Sequence, residues 1–246
     1  MASNRQPKIA FFDIETYPMI VAVWQQYEAN AIWVEQDTHL LSFAVKWAGR
    51  NGVKVHALPD YKGYERDKHN DAALVRDMWR VMEEADIIIA HNGDAFDIKK
   101  VNSRFAVHGL KPPAPHKSVD TLKIARKHFK FDSNKLDNLG RYLGVGRKLP
   151  NTGGHLWKRC GEGDPKAWRL MRRYNAQDVR LLEAVYLQLR PWGAHPNLNL
   201  YTGDRGCPVC QSNNVQARGF NVAKTRKVQR LHCQSCGHWF SGAPVK

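Results

Sequence analysis

Residues 8–16 read Lys-Ile-Ala-Phe-Phe-Asp-Ile-Glu-Thr, and this stretch decides the fold. Its Ile, Ala and Phe residues predict a buried first strand, in which Asp13 and Glu15 stand at i and i+2. Side chains of a strand alternate between its faces, so both carboxylates share one face of a sheet. An Asp-x-Glu pair at a strand end is ordinarily just solvated. Inside an apolar strand, unpaired charge is costly, and a cation held on that face resolves the conflict.

Working outward, Val21 to Tyr27 is expected to be the hairpin partner of the first strand, with Leu40 to Trp47 and Val53 to Leu58 as further strands. These make an antiparallel run on one side of a mixed sheet. Residues 71–85 carry helical spacing (Leu74, Val75, Met78, Val81, Met82), with Asn70 as N-cap. Asp86 to Ala90 is a short apolar strand, and a helix from Ala95 to His108 completes a βαβ-like unit that ends at Gly109-Leu110-Lys111-Pro112-Pro113-Ala114-Pro115. Helices are expected over 118–129, 135–143 and 165–190. The fold class is therefore α/β, a mixed central sheet flanked by helices. Pro191, Pro196 and Gly203 punctuate a linker, and 246 residues accommodate one well-filled domain over 1–195 and a small one over 196–246.

Two more acidic segments lie far from the first: His91-Asn92-Gly93-Asp94-Ala95-Phe96-Asp97, and Tyr174-Asn175-Ala176-Gln177-Asp178. Tyr174 and Asp178, at i and i+4 of a helix, share one side of it. Of Asp94 and Asp97, the Phe96-Asp97 pairing just beyond an apolar strand favours Asp97. Together the three segments resemble the DEDDy group of 3′-to-5′ exonucleases in the ribonuclease H-like superfamily, which includes polymerase proofreading domains and ribonuclease D. That pattern is Asp-x-Glu on the first strand, an Asp after an Asn-containing strand end, and a final Asp preceded four residues earlier by Tyr. Asp13, Glu15, Asp97, Tyr174 and Asp178 fill its five places, and the resemblance covers roughly the first 190 residues. Lys135-Leu136-Asp137-Asn138-Leu139, followed by Tyr142-Leu143-Gly144, is similar to the Leu-Asp-x-Leu helix before the last motif in many such enzymes.

The resemblance implies a ribonuclease H-like sheet and two Mg²⁺ or Mn²⁺ ions roughly 4 Å apart, hard cations suited to oxygen ligands. By the same resemblance, Asp13 bridges the ions, Glu15 and Asp178 complete the nucleophile-side ion, and Asp97 holds the leaving-group ion partly through water. Tyr174 orients the attacking water. With a reference pKa near 10, it acts as a positioner rather than a base. Polarity of digestion comes from the resemblance alone.

Net charge is +15. Between residues 111 and 159, Lys or Arg occupies positions 111, 117, 123, 126, 127, 130, 135, 141, 147, 148, 158 and 159, against Asp120, Asp132 and Asp137. Such concentration favours a polyanion, because each neutralised phosphate releases counterions. A merely solvated basic surface is the alternative, but Phe129, Phe131, Tyr142 and Trp157 are interleaved as stacking surfaces would be. Arg147 and Lys148 lie in a Gly-flanked loop that could approach a phosphate; the spacing of a P-loop is absent. Asn92 either touches the substrate backbone or is an ordinary turn residue. No Ser-His-Asp arrangement or nicotinamide fingerprint competes for the chemistry. Single-stranded DNA is the first expected substrate, since the second and third motifs stand closer to polymerase-type modules. An exoribonuclease, or a non-catalytic nucleic-acid-binding adaptor of the same fold, is the alternative. A replication or repair protein is a candidate partner. No apolar stretch approaches the roughly 20 residues that cross a bilayer. Residues 1–8 hold no apolar signal core, so no membrane and a cytoplasmic protein are expected.

Near the end stand Cys207-Pro208-Val209-Cys210 and Cys233-Gln234-Ser235-Cys236-Gly237. Two Cys-x-x-Cys turns match one tetrahedral Zn²⁺ in a zinc ribbon, with strands over Val215 to Phe220 and Lys227 to Leu231. Paired disulfides are disfavoured without a secretory signal. Cys160 is a spare thiol, and His232 or His238 could replace a cysteine. Arg226 and Lys227, with Arg218, Lys224, Arg230 and the aromatics Phe220, Trp239 and Phe240, suit nucleic-acid contact; protein docking is the alternative.

Overall fold

In the computed structural model, which describes residues 5–27, 30–151, 153–193, 195–222 and 224–245 (backbone only for 243–245), β1 (Ile9–Thr16) is the middle of five strands. On one side it pairs antiparallel with β4 (Leu40–Trp47), which pairs antiparallel with β5 (Lys54–Ala57). On the other it pairs parallel with β6 (Ile87–Ala90), which continues to β7 (Lys117–Asp120). The two faces of β1 feed two cores. Phe12 and Ile14 join Phe43 and Ile88 beneath α1 (Ala72–Glu84), α2 (Asp97–Val107) and α5 (Gly154–Gly161). Phe11 joins Ala44, Ile87, Ile89 and Val119 beneath α3 (Thr121–His128), α4 (Leu136–Tyr142) and α6 (Pro165–Leu189). Asp13 and Glu15 follow Phe11 by period two and so face α6. Burying a ring such as Phe12 contributes roughly 1.5–3 kcal/mol, and the Ile-Ile-Ile-Ala run of β6 is apolar because a parallel strand is covered on both faces.

Two local expectations are corrected, and one helix is added. Val21 to Tyr27 does not pair with β1: β2 (Ile20–Ala22) pairs with β3 (Trp33–Gln36) in a separate hairpin. A neighbour of the central strand must be buried on both faces, which β4 satisfies with six buried residues in a row and Trp24-Gln25-Gln26-Tyr27 cannot. The helix expected from 118 begins only at Thr121, because residues 117–120 join the ladder beside β6, and the Asp120 carboxylate caps the helix by accepting from Leu122 N at 2.9 Å. Residues 154–161, outside every expected helix, form α5. At the start of α1 the Asn70 carboxamide accepts from Ala72 N at 3.1 Å, while Asp71 is turned inward to Leu40 N and Arg104.

Beyond α6, a short turn α7 (Asn199–Thr202) leads to a three-stranded antiparallel sheet of β8 (Val215–Val222), β9 (Lys227–Cys233) and β10 (Trp239–Val245), in the order β10-β9-β8. Leu198 is buried in the α6 core, and its N–H donates to Pro208 O at 2.8 Å. His238 Nδ1 donates to Pro191 O at 2.8 Å, so the cysteine-bearing turns seat on the end of α6. Among the described residues, no helix is long and apolar enough to cross a membrane.

Candidate active site and metal centres

β1 and α6 meet at their candidate site residues. Oxygens of Asp13, Glu15 and Asp178 all lie within 4.8 Å of one another. Asp178 is 1% exposed, and among the described residues its Oδ1 has no hydrogen-bond partner. The other oxygen, Oδ2, accepts from Lys148 Nζ at 2.5 Å; the same ammonium donates to Tyr174 Oη at 3.3 Å. Trp157 Nε1 donates to Glu15 Oε2 at 2.8 Å. Asn175 Nδ2 donates to Asp13 Oδ2 at 2.7 Å, and Ser42, opposite Glu15 on β4, donates to Asn175 Oδ1 at 3.1 Å, which fixes the amide's orientation. Asp97 stands at the start of α2, buried but outside the three-carboxylate cluster, where its Oδ1 accepts from Ile14 N at 3.3 Å. Asp94 is engaged elsewhere, with Lys123 and Ser118.

Burial pushes Asp13 well above the carboxylate range, with the charges of Glu15, Asp97 and Asp178 adding and that of Lys148 opposing. Glu15 rises to about 8, mainly through burial, against the Trp157 hydrogen bond. Asp97 is lifted to about 6 by burial, countered by the Ile14 N–H, and Asp178 rises by burial against Lys148. Burial opposes the charge of Lys148, but Asp178 outweighs it and holds the ammonium protonated. Burial and the Asp178 charge push Tyr174 to about 12, so its phenol is neutral. One ammonium does not balance these acids. An all-oxygen donor set with an orphaned buried carboxylate oxygen fits a hard divalent cation.

The Lys148 loop is clamped by α4. Asp137 accepts from the Arg147 guanidinium at 2.9 Å and from Lys148 N at 2.8 Å, and Gln177 Nε2 donates to Arg147 O at 3.0 Å. Gly140 permits this approach, because a Cβ there would lie 2.6 Å from Gly146 O. Lys148 divides two clefts. One, of about 540 Å³, is lined by Asp137, Arg147 and Tyr174; the other, of about 500 Å³, by His91, Asn92, Arg126 and Lys135. Asn92 is both a turn residue, at φ 66° with its N–H on Asp120, and a wall of the second cleft. Trp157, Asn175 and Ser42 were missed as site residues. Helical spacing puts Asn175 beside Tyr174 and Asp178, a signal present in the third motif. Trp157, read only as a stacking aromatic, lies 142 positions from Glu15, and nothing local marks it as that carboxylate's partner.

In the C-terminal sheet, the sulfurs of Cys207, Cys210, Cys233 and Cys236 lie within 4.8 Å of one another, with Cys207–Cys236 at 3.7 Å and Cys210–Cys233 at 3.6 Å. A tetrahedron with metal–sulfur bonds of about 2.3 Å has edges of about 3.8 Å, so the cluster fits a tetrahedral divalent ion and is consistent with a zinc ribbon. The two turns match: Gln211 N donates to Cys207 O and Gly237 N to Cys233 O, with Gln211 and Gly237 both at positive φ. His232 stacks on Trp239 at 4.2 Å and His238 is bonded to Pro191, so neither stands in for a cysteine. Cys160 is buried, and burial pushes its thiol up to about 12. Lys227 lies 4.1 Å over the Phe220 ring at the far end of the ribbon; neither it nor Arg226 lines the clefts beside Lys148.

The five-stranded mixed sheet with helices on both faces, and the acids gathered between its central strand and α6, define a ribonuclease H-like protein. The chain belongs to the RNase_H superfamily, whose model matches residues 10–190. Among solved structures it is similar to the family B DNA polymerase from the hyperthermophilic archaeon Pyrobaculum calidifontis, with 19% identity and a TM-score of 0.59 over 84% of this chain and 27% of that chain. The likeness is one of fold, and this chain spans about a quarter of that polymerase. No curated protein sequence matches. Family and fold support nuclease activity on a nucleic acid.

Proposed function

We propose that this protein is a 3′-to-5′ exonuclease acting on single-stranded ends, with DNA as its first substrate. In this reading two Mg²⁺ or Mn²⁺ ions are held by Asp13, Glu15, Asp178 and Asp97, and one Zn²⁺ by Cys207, Cys210, Cys233 and Cys236. The carrying observation is the convergence of Asp13, Glu15 and Asp178 around an unpartnered, buried Asp178 oxygen. When bound, such ions supply an activated water and neutralise charge on the phosphoryl and leaving oxygens. The protein's own groups do the rest. Tyr174, neutral at ordinary pH, positions the attacking water through its hydroxyl. Trp157 and Asn175 hold Glu15 and Asp13 in one orientation each. Lys148, released from Asp178 when the site fills, is placed to meet a substrate phosphate, with Arg147 and Asn92 on the flanking walls. Residues 1–195 carry the chemistry, and the ribbon over 196–246 holds substrate through Arg226 and Lys227. A replication or repair protein partner accords with such an activity.

The test is digestion of 5′-labelled and 3′-labelled DNA and RNA oligomers with Mg²⁺, Mn²⁺ or EDTA, repeated with Asp13→Ala. Metal-dependent release of mononucleotides from 3′ ends, lost in the variant, is expected. A preference for RNA replaces DNA with the exoribonuclease reading. An inactive wild type, or an Asp13→Ala protein as active as wild type, refutes the proposal.

A further inference from the structure

The hairpin formed by β2 and β3 takes no part in the site just described, and it is unusual for this chain. Trp24 is 80% exposed, Tyr27 94% and Trp33 59%, beside half-exposed Met19 and Val34. Residues 9–45 contain none of the chain's 38 Lys and Arg; their charges are Asp13, Glu15, Glu28, Glu35 and Asp37. Isolated apolar residues on a surface need no explanation, but three exposed aromatics within one short hairpin are a candidate binding surface. A two-stranded hairpin is marginal alone, and this one is anchored at its base, where Ile20 packs on the core and Tyr17 N donates to His39 O at 2.8 Å.

Its position indicates what it binds. β2 begins five residues after Glu15, so chain length alone keeps its start within roughly 18 Å of the carboxylates. β3 hands the chain to β4, on one side of β1, whereas the cleft with Arg126, Lys135 and Lys148 opens past β6 and β7, on the other. By strand order the carboxylates of β1 thus lie between an aromatic hairpin free of Lys and Arg and a basic cleft. A single strand of nucleic acid has the same division, bases along one edge and phosphates along the other. Glu35 and Asp37 repel phosphates from the hairpin, and Arg126 and Lys135 attract them opposite. Resting on the nuclease reading above, we infer that the β2–β3 hairpin is a stacking surface for the bases of the single strand upstream of the scissile bond. It orients the strand so that its backbone runs along the basic cleft.

The experiment uses the full chain with Trp33→Ala and Tyr27→Ala combined, and Trp33→Phe as the conservative control. Three substrates are compared: a single-stranded oligodeoxynucleotide, the same strand abasic upstream of its last nucleotide, and the p-nitrophenyl ester of thymidine 5′-monophosphate, which reports the carboxylate centre alone. The double variant is expected to raise KM for the normal oligomer about tenfold or more, with the salt dependence of binding unchanged because no phosphate contact is lost. Ester hydrolysis stays at the wild-type rate, the abasic strand erases the difference, and Trp33→Phe restores most of the affinity. An unchanged KM, or a loss that persists on the abasic strand, overturns the inference. So does a hairpin that serves only to pair two copies, seen as a wild-type dimer, a monomeric variant and equal KM values. If wild type cleaves neither oligomer nor ester, the nuclease reading fails separately, and the Kd of a fluorescent oligomer decides the hairpin by the same tenfold criterion.

Discussion

Replacing Trp157 by Phe keeps an aromatic ring against Tyr174, whose centroid lies 5.9 Å away, and deletes one N–H. That N–H donates to Glu15 Oε2 at 2.8 Å and favours the charged carboxylate against the burial that lifts it to about 8. A hydrogen bond to an ionised group contributes about 1.5–3 kcal/mol, and one pKa unit corresponds to about 1.4 kcal/mol, so Glu15 should rise by about one to two further units. A divalent ion binds the deprotonated acid, so proton and metal compete. Near pH 7 the ionised fraction of Glu15 falls about tenfold for each unit of rise. Apparent Mn²⁺ affinity should therefore fall about 10- to 100-fold at pH 7 and converge on wild type above about pH 10. Calorimetric titration with Mn²⁺ at a series of pH values measures this, and the alkaline shift of the pH–rate profile for oligomer digestion checks it independently. Unchanged affinity at pH 7 refutes the role given to Trp157. So does a loss equal at every pH, which would mean that the indole only props up α5.

Tyr174→Phe removes the hydroxyl proposed to position the attacking water but no carboxylate. Turnover should fall about 100-fold or more while calorimetric Mn²⁺ affinity stays within about twofold. In metal-free protein, Asp13, Glu15, Asp97 and Asp178 have folded pKa values above their unfolded ones, so they stabilise the fold fully only below about pH 4, and that contribution fades as pH rises toward about 8 for Glu15. The Tm in EDTA should therefore drop between about pH 5 and 8.5, and Mn²⁺ should reverse the drop most at the alkaline end; a Tm in EDTA that rises over this range contradicts the burial argument. Cys207→Ser should release one equivalent of zinc by colorimetric assay and abolish the protected amides of β8 to β10 in hydrogen exchange, because so small a sheet is held by its metal. Full protection without zinc would show that Leu198 and the α6 contacts suffice.

Several features were legible in the residues alone because they are set by local periodicity. Asp13 and Glu15 share a face because a strand alternates, Tyr174 and Asp178 share one because a helix turns in 3.6 residues, and two Cys-x-x-Cys turns read as one tetrahedral centre. The mixed sheet and most of its elements followed from apolar runs of the right length. Pairing did not follow: the segment next in sequence to β1 is not its partner, because Leu40 to Trp47 could be covered on both faces and Val21 to Tyr27 could not. Residues 117–120 carried no strand signal of their own and became β7 only by lying against β6.

The chain order of the residues thus determined which side chains could act as ligands and on which face of their own element each would lie. Only the tertiary structure decided that Trp157 holds Glu15, that Asn175 holds Asp13, that Lys148 rests between Asp178 and Tyr174, and that Asp97 stands one step outside the cluster. Asn175 and Asp13 are 162 positions apart. Contacts at such separations depend on how helices dock on the sheet, a matter of packing summed over both cores, and no window of local sequence contains it.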